Sequence, residues 1–85
     1  MAYTLQFKPA ALRQLEKLPR DVQRRIAAKV ERLRDDPFPA GCKKLEGIVD
    51  AWRIRVGDYR VVYQVHRGIL LILVVTIGDR REVYR

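Results

Sequence analysis

The sequence has few of the residues that build metal sites and disulfides. Its 85 residues include one cysteine, Cys42, and one histidine, His66. A lone cysteine excludes an internal disulfide and a cysteine-rich metal site. A protein zinc site needs three or four His, Cys or carboxylate ligands, and the sequence does not supply them at recognisable spacing. We therefore expect a protein that holds no metal and no cofactor.

Long apolar segments are also missing. The longest apolar run covers residues 69–75, which is far too short to span a bilayer. Residues 1–5 do not combine a charged region with a following apolar one, as a secretory signal would. We therefore expect a cytoplasmic protein with no membrane partner.

Acidic residues are outnumbered by basic ones. Ten Asp and Glu stand against 18 Lys and Arg, and the formal net charge is +8 at pH 7. This excess favours a polyanionic partner such as a nucleic acid, an acidic protein or an anionic membrane surface, although net charge also serves solubility. With 85 residues, of which 48% are hydrophobic, the chain is expected to form one domain, residues 1–85, with one small core. A functional site on an open sheet face fits this size better than a deep cleft.

Hydrophobic periodicity predicts one strand and two helices in the first half of the chain. Tyr3, Leu5 and Phe7 alternate with polar residues, as in a strand. Pro9 suits a first helical turn, and Pro19 is expected to end the first helix and begin the second. The other faces of the second helix are rich in arginine and lysine, and we expect a solvated surface there that also helps to dock on ribosomal RNA. Its apolar stripe consists of Val22, Ile26, Val30 and Leu33.

The second half of the chain is predicted to form strands after a loop at residues 37–41. The residue 69–77 segment is apolar nearly throughout, as in a central strand that is covered on both faces. The element order predicts an α+β domain of β-α-α-β-β-β type, with an optional last strand. Its helical hairpin is expected to pack on one face of a mainly antiparallel sheet. The main predicted strands of this half cover residues 51–56, 59–66 and 69–77, and short additional strands can form at 43–46 and 82–84.

The turn between two alternating strands sets their register. Gly57-Asp58 is a two-residue hairpin turn, in which Gly supplies the positive φ that a type II′ turn needs first. This turn places Arg55 opposite Arg60, and strand alternation puts Arg53 on the same side of the sheet. We call the surface formed by Arg53, Arg55 and Arg60 the arginine face.

The predicted arginine face carries a local energetic cost. Like charges directly opposite each other on a hairpin are destabilising by up to about 1 kcal/mol. Sequences tend to break local rules where function requires it, and the planar guanidinium fork suits phosphate. The arrangement therefore indicates a phosphate-binding surface. The alternative is a solvated sheet face on which the arginines stand well apart.

Several stretches of the sequence resemble the RelE/ParE superfamily of bacterial and archaeal toxins, and they span almost the whole chain. They are FKPAAL with LEKLP (residues 7–12 and 15–19), KLEG (44–47), WRIRVGDYRVVY (52–63) and IGDRREVY (77–84). The block at 52–63 is the most specific, and the block at 77–84 comes next. The resemblance implies a RelE-like fold and, in the RelE branch, a toxin that cleaves messenger RNA on the ribosome.

The resemblance also implies which residues act. In the RelE branch, two basic residues on one strand, an arginine on the next, a C-terminal arginine and a terminal tyrosine are held responsible for cleavage. From the residues alone, Tyr84 is more readily a core residue of an edge strand. The resemblance favours a functional role for it, as a proton carrier or as a ring stacked on a base. The expected catalytic residues are Arg55, Arg60, Arg80 and Tyr84, and the expected RNA-binding residues are Arg53, Arg81, Lys43 and Lys44.

Two departures from the family pattern weaken acid–base chemistry. Asp79 stands where many relatives have His, which removes one proton donor. Arg53 and Arg55 stand where some relatives have lysine, and arginine effectively cannot give up its proton. These arginines suit phosphate binding but are poor general bases, so we expect a poor ribonuclease on free RNA. His66 and Glu46 are expected to be surface residues away from the site.

The resemblance further implies the partners. It predicts an acidic, RelB-like antitoxin in a hetero-oligomer with the toxin, and the ribosome with its mRNA as the target. Three other functions stay open: a ParE-like poison of DNA gyrase that acts by protein interaction, a nucleic-acid-binding module without chemistry, and an inactive toxin. The aligned arginines and tyrosine count against the gyrase poison, which needs no such set.

Overall fold

The computed structural model describes residues 2–79, and these form two helices and five strands. The predicted α+β order is confirmed, and the predicted strands at residues 51–56 and 59–66 have the expected bounds. The short strand predicted at 82–84 lies outside the described residues. The elements are β1 (Thr4–Phe7), α1 (Pro9–Glu16), α2 (Arg20–Arg32), β2 (Lys43–Lys44), β3 (Ala51–Val56), β4 (Tyr59–His66) and β5 (Leu71–Asp79).

The strands form one sheet in the order β1-β5-β4-β3-β2. β1 pairs in parallel with β5, whereas the other neighbours are antiparallel, so the sheet is mainly antiparallel as predicted. β5 is an inner strand, but only one of its faces is fully covered. Ile72 and Val74 are fully buried on the helix side, whereas Leu71 and Leu73 on the opposite side are half-buried. The expectation of a strand covered on both faces was therefore too strong.

The core lies between the sheet and the two helices. The stripe of α2 supplies Val22, Ile26 and Val30, and Leu33 just beyond the helix is also fully buried. A fully buried aliphatic side chain of this size contributes about 1.5–3 kcal/mol through its removal from water. This burial fixes α2 on the sheet, and it turns the basic faces of the helix away from the core. Neither described helix is long and apolar enough to cross a membrane.

Helix α1 closes the open edge of β5. β1 ends at Phe7, where the backbone N–H of Lys8 donates to the carbonyl of Val74, and β5 continues for five more residues. Past that point Gln14 of α1 accepts hydrogen bonds from the N–H of Ile77 at 2.8 Å and from the hydroxyl of Thr76 at 3.0 Å. An unpaired backbone N–H in a half-buried position is costly. The glutamine therefore replaces a missing strand neighbour and holds the end of β5 in place.

Tyr63 ties β4 to the loop after α2. The side chain is fully buried, and its hydroxyl donates to the carbonyl of Pro37 at 2.7 Å. Burial, with smaller contributions from Cys42 and Asp36, raises the pKa of Tyr63 well above its ordinary value. The folded chain therefore favours the neutral phenol, which is the form that donates this hydrogen bond.

We expect Tyr63→Phe to lower the free energy of unfolding by about 1–3 kcal/mol, because it leaves the Pro37 carbonyl without its donor. The unfolded tyrosine loses its proton near pH 10, whereas the folded one keeps it. Wild-type stability should therefore fall as the pH rises above about 10, and the variant should lose less over the same range. Urea unfolding at pH 7 and at pH 11 measures both effects. If both proteins lost the same free energy of unfolding between pH 7 and pH 11, the raised pKa of Tyr63 in the folded chain would be contradicted.

Candidate nucleic-acid interface

The β3–β4 hairpin has the register that its turn predicts. Arg55 is paired with Arg60 across the hairpin, and Val56 is paired with Tyr59. Gly57 has a φ of 60°, as the first turn position requires. Arg53 lies two residues before Arg55 on β3, so alternation places all three arginines on one side of the sheet. The predicted geometry of the arginine face is confirmed.

The three arginines differ in their exposure. Arg53 and Arg60 are only 8% and 7% exposed, whereas Arg55 is exposed. Each of the two buried arginines has an interaction partner within the protein. A solvated face with separated arginines, the alternative considered from sequence, does not describe this surface. Burial also lowers the local dielectric, so a phosphate that reaches these groups would be held more strongly than in open water.

The two lysines of β2 lie on different sides of the sheet. Lys43 is paired with Arg53 and shares its side, next to the arginine face. Lys44 is paired with Trp52, which packs against the core on the helix side. Lys44 lines a separate pocket there with Trp52 and Phe38. The structure therefore brings Lys43 to the predicted site and keeps Lys44 away from it.

The end of β5 lies directly beside Arg60. Gly78 is paired with Arg60, and Asp79 is paired with Tyr59 on the core side of β4. Asp79 therefore does not share the side of the arginine face. The predicted residues Arg80, Arg81 and Tyr84 lie outside the described residues.

Two basic residues of α2 that the sequence analysis did not select lie beside the hairpin. The Nζ of Lys29 donates to the carbonyl oxygen of Arg55 at 2.9 Å. The Nη1 of Arg25 lies 3.7 Å from the position that a Cβ atom on Gly57 would occupy. Their spacing of four residues puts both on one face of the helix. That spacing was the available sequence signal, but it does not show that this face borders the sheet.

Acid–base groups are scarce around the arginines. A pocket of about 310 Å³ is lined, among the described residues, by four cations and three uncharged residues, and no Asp, Glu or His of residues 2–79 lines it. His66 shares the side of Arg60 but lies six residues further along β4, about 20 Å away at strand rise, and it contacts Gln64 at 3.2 Å. Glu46 is an exposed residue after β2 and lines a different groove. Within residues 2–79, no three His, Cys or carboxylate side chains are grouped as a metal site would require.

Comparison with known proteins agrees with this fold. The family model described as the ParE toxin of type II toxin-antitoxin systems, parDE, matches residues 5–84. The mRNA interferase toxin RelE of Escherichia coli strain K12 is 33% identical over 88 residues, which cover 99% of this chain and 92% of that protein. A RelE–RelB complex from Pyrococcus horikoshii OT3 contains a similar chain, with a TM-score of 0.84 and 30% identity over 96% of this chain and 99% of that one. The intact RelBE toxin–antitoxin complex of E. coli gives a TM-score of 0.80 and 31% identity, over 92% of this chain and 96% of that one.

The family model and the relatives agree over nearly the whole length of the chain, and the matched structures share its arrangement of two helices on a five-stranded sheet. These matches define a small toxin of the type II toxin–antitoxin class. The chain belongs to the RelE/ParE toxin superfamily, and its relatives place it in the RelE branch.

Proposed function

We propose that this chain is a ribosome-dependent, metal-independent endoribonuclease that cleaves translated mRNA. The observation that carries the proposal is the clustering of Arg53, Arg55 and Arg60 on one side of the sheet, in a chain whose relative is an mRNA interferase. Arginine provides a permanent charge and a planar donor fork, which match the equatorial oxygens of a phosphorane. The site would act in the cytoplasm, where translated messages are found.

The proposed reaction needs no metal because the RNA supplies its own nucleophile. The 2′-oxygen attacks the adjacent phosphorus while the bond from phosphorus to the 5′-oxygen breaks, which leaves a cyclic phosphate and a 5′-hydroxyl. One proton must leave the 2′-hydroxyl and one must reach the departing oxygen. Arg55 and Arg60 would stabilise the extra negative charge of the phosphorane, and Arg80 would stabilise the leaving oxygen. Proton transfer falls to Tyr84 or to groups of the ribosome.

Dependence on the ribosome follows from the weakness of the acid–base set. Fixed positive charges bind and stabilise a phosphorane, but they do not align the 2′-oxygen with the bond that breaks. Such alignment matters for the rate, because a misplacement of about 1 Å can slow a reaction by about 100-fold. A message held by the ribosome in a reactive conformation would supply this contribution. Free RNA would be bound by the same arginines and cut slowly.

The proposed regulatory partner is an acidic, RelB-like antitoxin. Two of the similar structures are complexes of a RelE with a RelB, and the net charge of +8 on this chain favours an acidic partner. An antitoxin that covers or distorts the arginine face would block access of RNA. The toxin and antitoxin would then form a hetero-oligomer.

Mapping of message ends tests the function. The chain is induced in cells without antitoxin, and the 5′ ends of translated messages are mapped by primer extension. The same cuts should appear on programmed ribosomes in the presence of a chelator that spares ribosome integrity. Cuts that need added metal would contradict metal independence.

Gyrase-dependent DNA damage without message cleavage would favour the ParE-like function, to which the family description points. RNA binding with neither effect would favour a module without chemistry.

We expect Arg55→Ala to weaken binding to RNA and to the ribosome and to flatten its salt dependence. Loss of one phosphate contact on a single strand should lower the slope of log affinity against log salt by about 0.7. Arg55 is exposed, so the variant should keep its fold, whereas Ala at the buried Arg53 or Arg60 would also lower stability. Arg13→Ala on α1 removes the same charge from an exposed helix position and serves as control. If Arg55→Ala left the slope of log affinity against log salt unchanged, Arg55 would not contact an RNA phosphate.

A further inference from the structure

A basic pocket lies at the edge of the arginine face. β2 pairs with β3 at Trp52 and Arg53, and β3 continues past it to Val56. The pocket, of about 310 Å³, occupies this open edge between α2 and the loop before β2. It is lined by Lys29, Lys43, Arg53, Arg55, Ile54, Ala40 and Gly41.

The cations of this pocket come from three separate elements. Lys29 is on α2, Lys43 is on β2, and Arg53 and Arg55 are on β3. They line one pocket although a loop separates α2 from β2 and β3 in the chain. No acidic residue is among those that line the pocket within the described chain. Four converging positive charges in a concave surface attract a small anion strongly.

Lys29 is fixed in place before any ligand arrives. Its ammonium group donates to the carbonyl of Arg55 at 2.9 Å, which satisfies a backbone acceptor on the open edge of β3. An ammonium has three donors, so this bond leaves two for a ligand. Ala40 and Gly41 on the opposite wall have little or no side chain, which leaves room for a bulky group. The pocket is therefore built to receive an anion at the rim of the arginine face.

We propose that this pocket binds a second phosphate of the RNA backbone, next to the phosphate that is cleaved. Lys29 and Lys43 act there as binding and positioning residues, and the strand passes from the arginine face around the open edge of β3 towards α2. This inference rests on the proposed function for the identity of its ligand as RNA. It adds a site from α2 that orients the strand rather than reacts with it.

A length series of uncleavable RNA separates this second site from the first. The full chain is titrated with 2′-O-methyl dinucleotide and tetranucleotide, which carry one and three bridging phosphates and lack the nucleophile. We expect Lys29→Gln to weaken binding of the tetranucleotide by about 3- to 10-fold and to lower its salt slope by about 0.7. Binding of the dinucleotide should change by less than about 2-fold, because its one phosphate occupies the arginine face.

Matched variants control for charge and for folding. Arg24→Gln removes one charge from an exposed position of the same helix and lines no part of the pocket, so it should leave both ligands unaffected. Lys29→Arg should retain the length dependence. If Lys29→Gln fails to fold, Lys43→Gln, at the opposite wall, must show the same loss for the tetranucleotide alone. Folded Lys29→Gln and Lys43→Gln proteins that bind both ligands like wild type would overturn the second site.

The outcome is independent of whether the chain cleaves RNA. If wild type cuts messages on ribosomes but the Lys29 and Lys43 variants bind the tetranucleotide as tightly as wild type, the pocket inference fails and the proposed function stands. If wild type cuts nothing but shows the length dependence, the proposed function fails and the pocket stands. Equal effects of Lys29→Gln on dinucleotide and tetranucleotide would place Lys29 at the first phosphate, which contradicts the inference.

Discussion

We expect Arg80→Ala to slow single-turnover cleavage of a message on programmed ribosomes by about 100- to 1,000-fold, the usual loss when one preorganised charge stabiliser is removed. The physical reason is the role that the proposed mechanism gives it. In that mechanism Arg55 and Arg60 hold the phosphorane, and the guanidinium of Arg80 stabilises the leaving oxygen. Its charge would act as the bond to the 5′-oxygen breaks, when negative charge develops there.

The controls for Arg80 must separate chemistry from folding and from simple binding. A wild-type midpoint of urea unfolding shows that the variant is folded. Arg81→Ala removes the same charge from the next residue, which we expect to contact RNA without taking part in bond breaking. We expect Arg81→Ala to lower mainly the affinity for the ribosome, by a few-fold. A folded Arg80→Ala protein that cuts at the wild-type rate would disprove the proposed site.

The arginine face could be predicted from sequence because its geometry is local. A two-residue turn at Gly57-Asp58 leaves little freedom in how the flanking strands pair, so the opposition of Arg55 and Arg60 follows from the turn. Alternation then assigns Arg53 to the same side. No knowledge of the rest of the fold is needed. The buried stripe of α2 was predictable for the same reason, since helical periodicity is a property of the segment itself.

Features that depend on distant segments were not predictable in this way. β2 has two residues, and its register with β3 is set by the intervening loop, where Gly47 and Asp50 have positive φ. A shift of one residue moves every side chain to the other face, so the sequence did not show that Lys43 and Lys44 lie on different sides of the sheet. The parallel pairing of β1 with β5 joins the two ends of the chain. No local pattern in the sequence specifies that contact.

The contact of Lys29 with β3 was missed because helix periodicity describes one helix at a time. Lys29 lies on an exposed face, which is ordinary for a lysine. Only the packing of α2 across the sheet brings its ammonium group to the carbonyl of Arg55. The burial of Arg53 and Arg60 was missed for a related reason. Alternation assigns a side chain to a face, but it does not say how much of that face is covered.

The described part of the site consists of fixed charge without a proton carrier. No Asp, Glu or His lines the pocket beside the arginines, and Tyr63 is engaged with Pro37 on the core side. His66 lies at the far end of β4, with Gln64 as its hydrogen-bond partner. Bond cleavage nevertheless requires two proton movements. Tyr84 is the predicted site residue whose side chain can carry a proton, and arginine cannot replace it.

We expect Tyr84→Phe to lower the single-turnover cleavage rate by about 100- to 10,000-fold, the range over which a positioned acid or base contributes. The change removes the hydroxyl and keeps the ring, so a stacking role predicts almost no loss in this variant. Tyr84→Ala removes both, and a stacked ring would cost about 1–3 kcal/mol of binding. Binding of uncleavable RNA to both variants separates these contributions, and the midpoint of urea unfolding reports whether each is folded. A stacking role would be shown by two results: folded Tyr84→Phe protein cleaves at the wild-type rate, and Tyr84→Ala binds RNA weakly. Proton transfer would then fall to the ribosome.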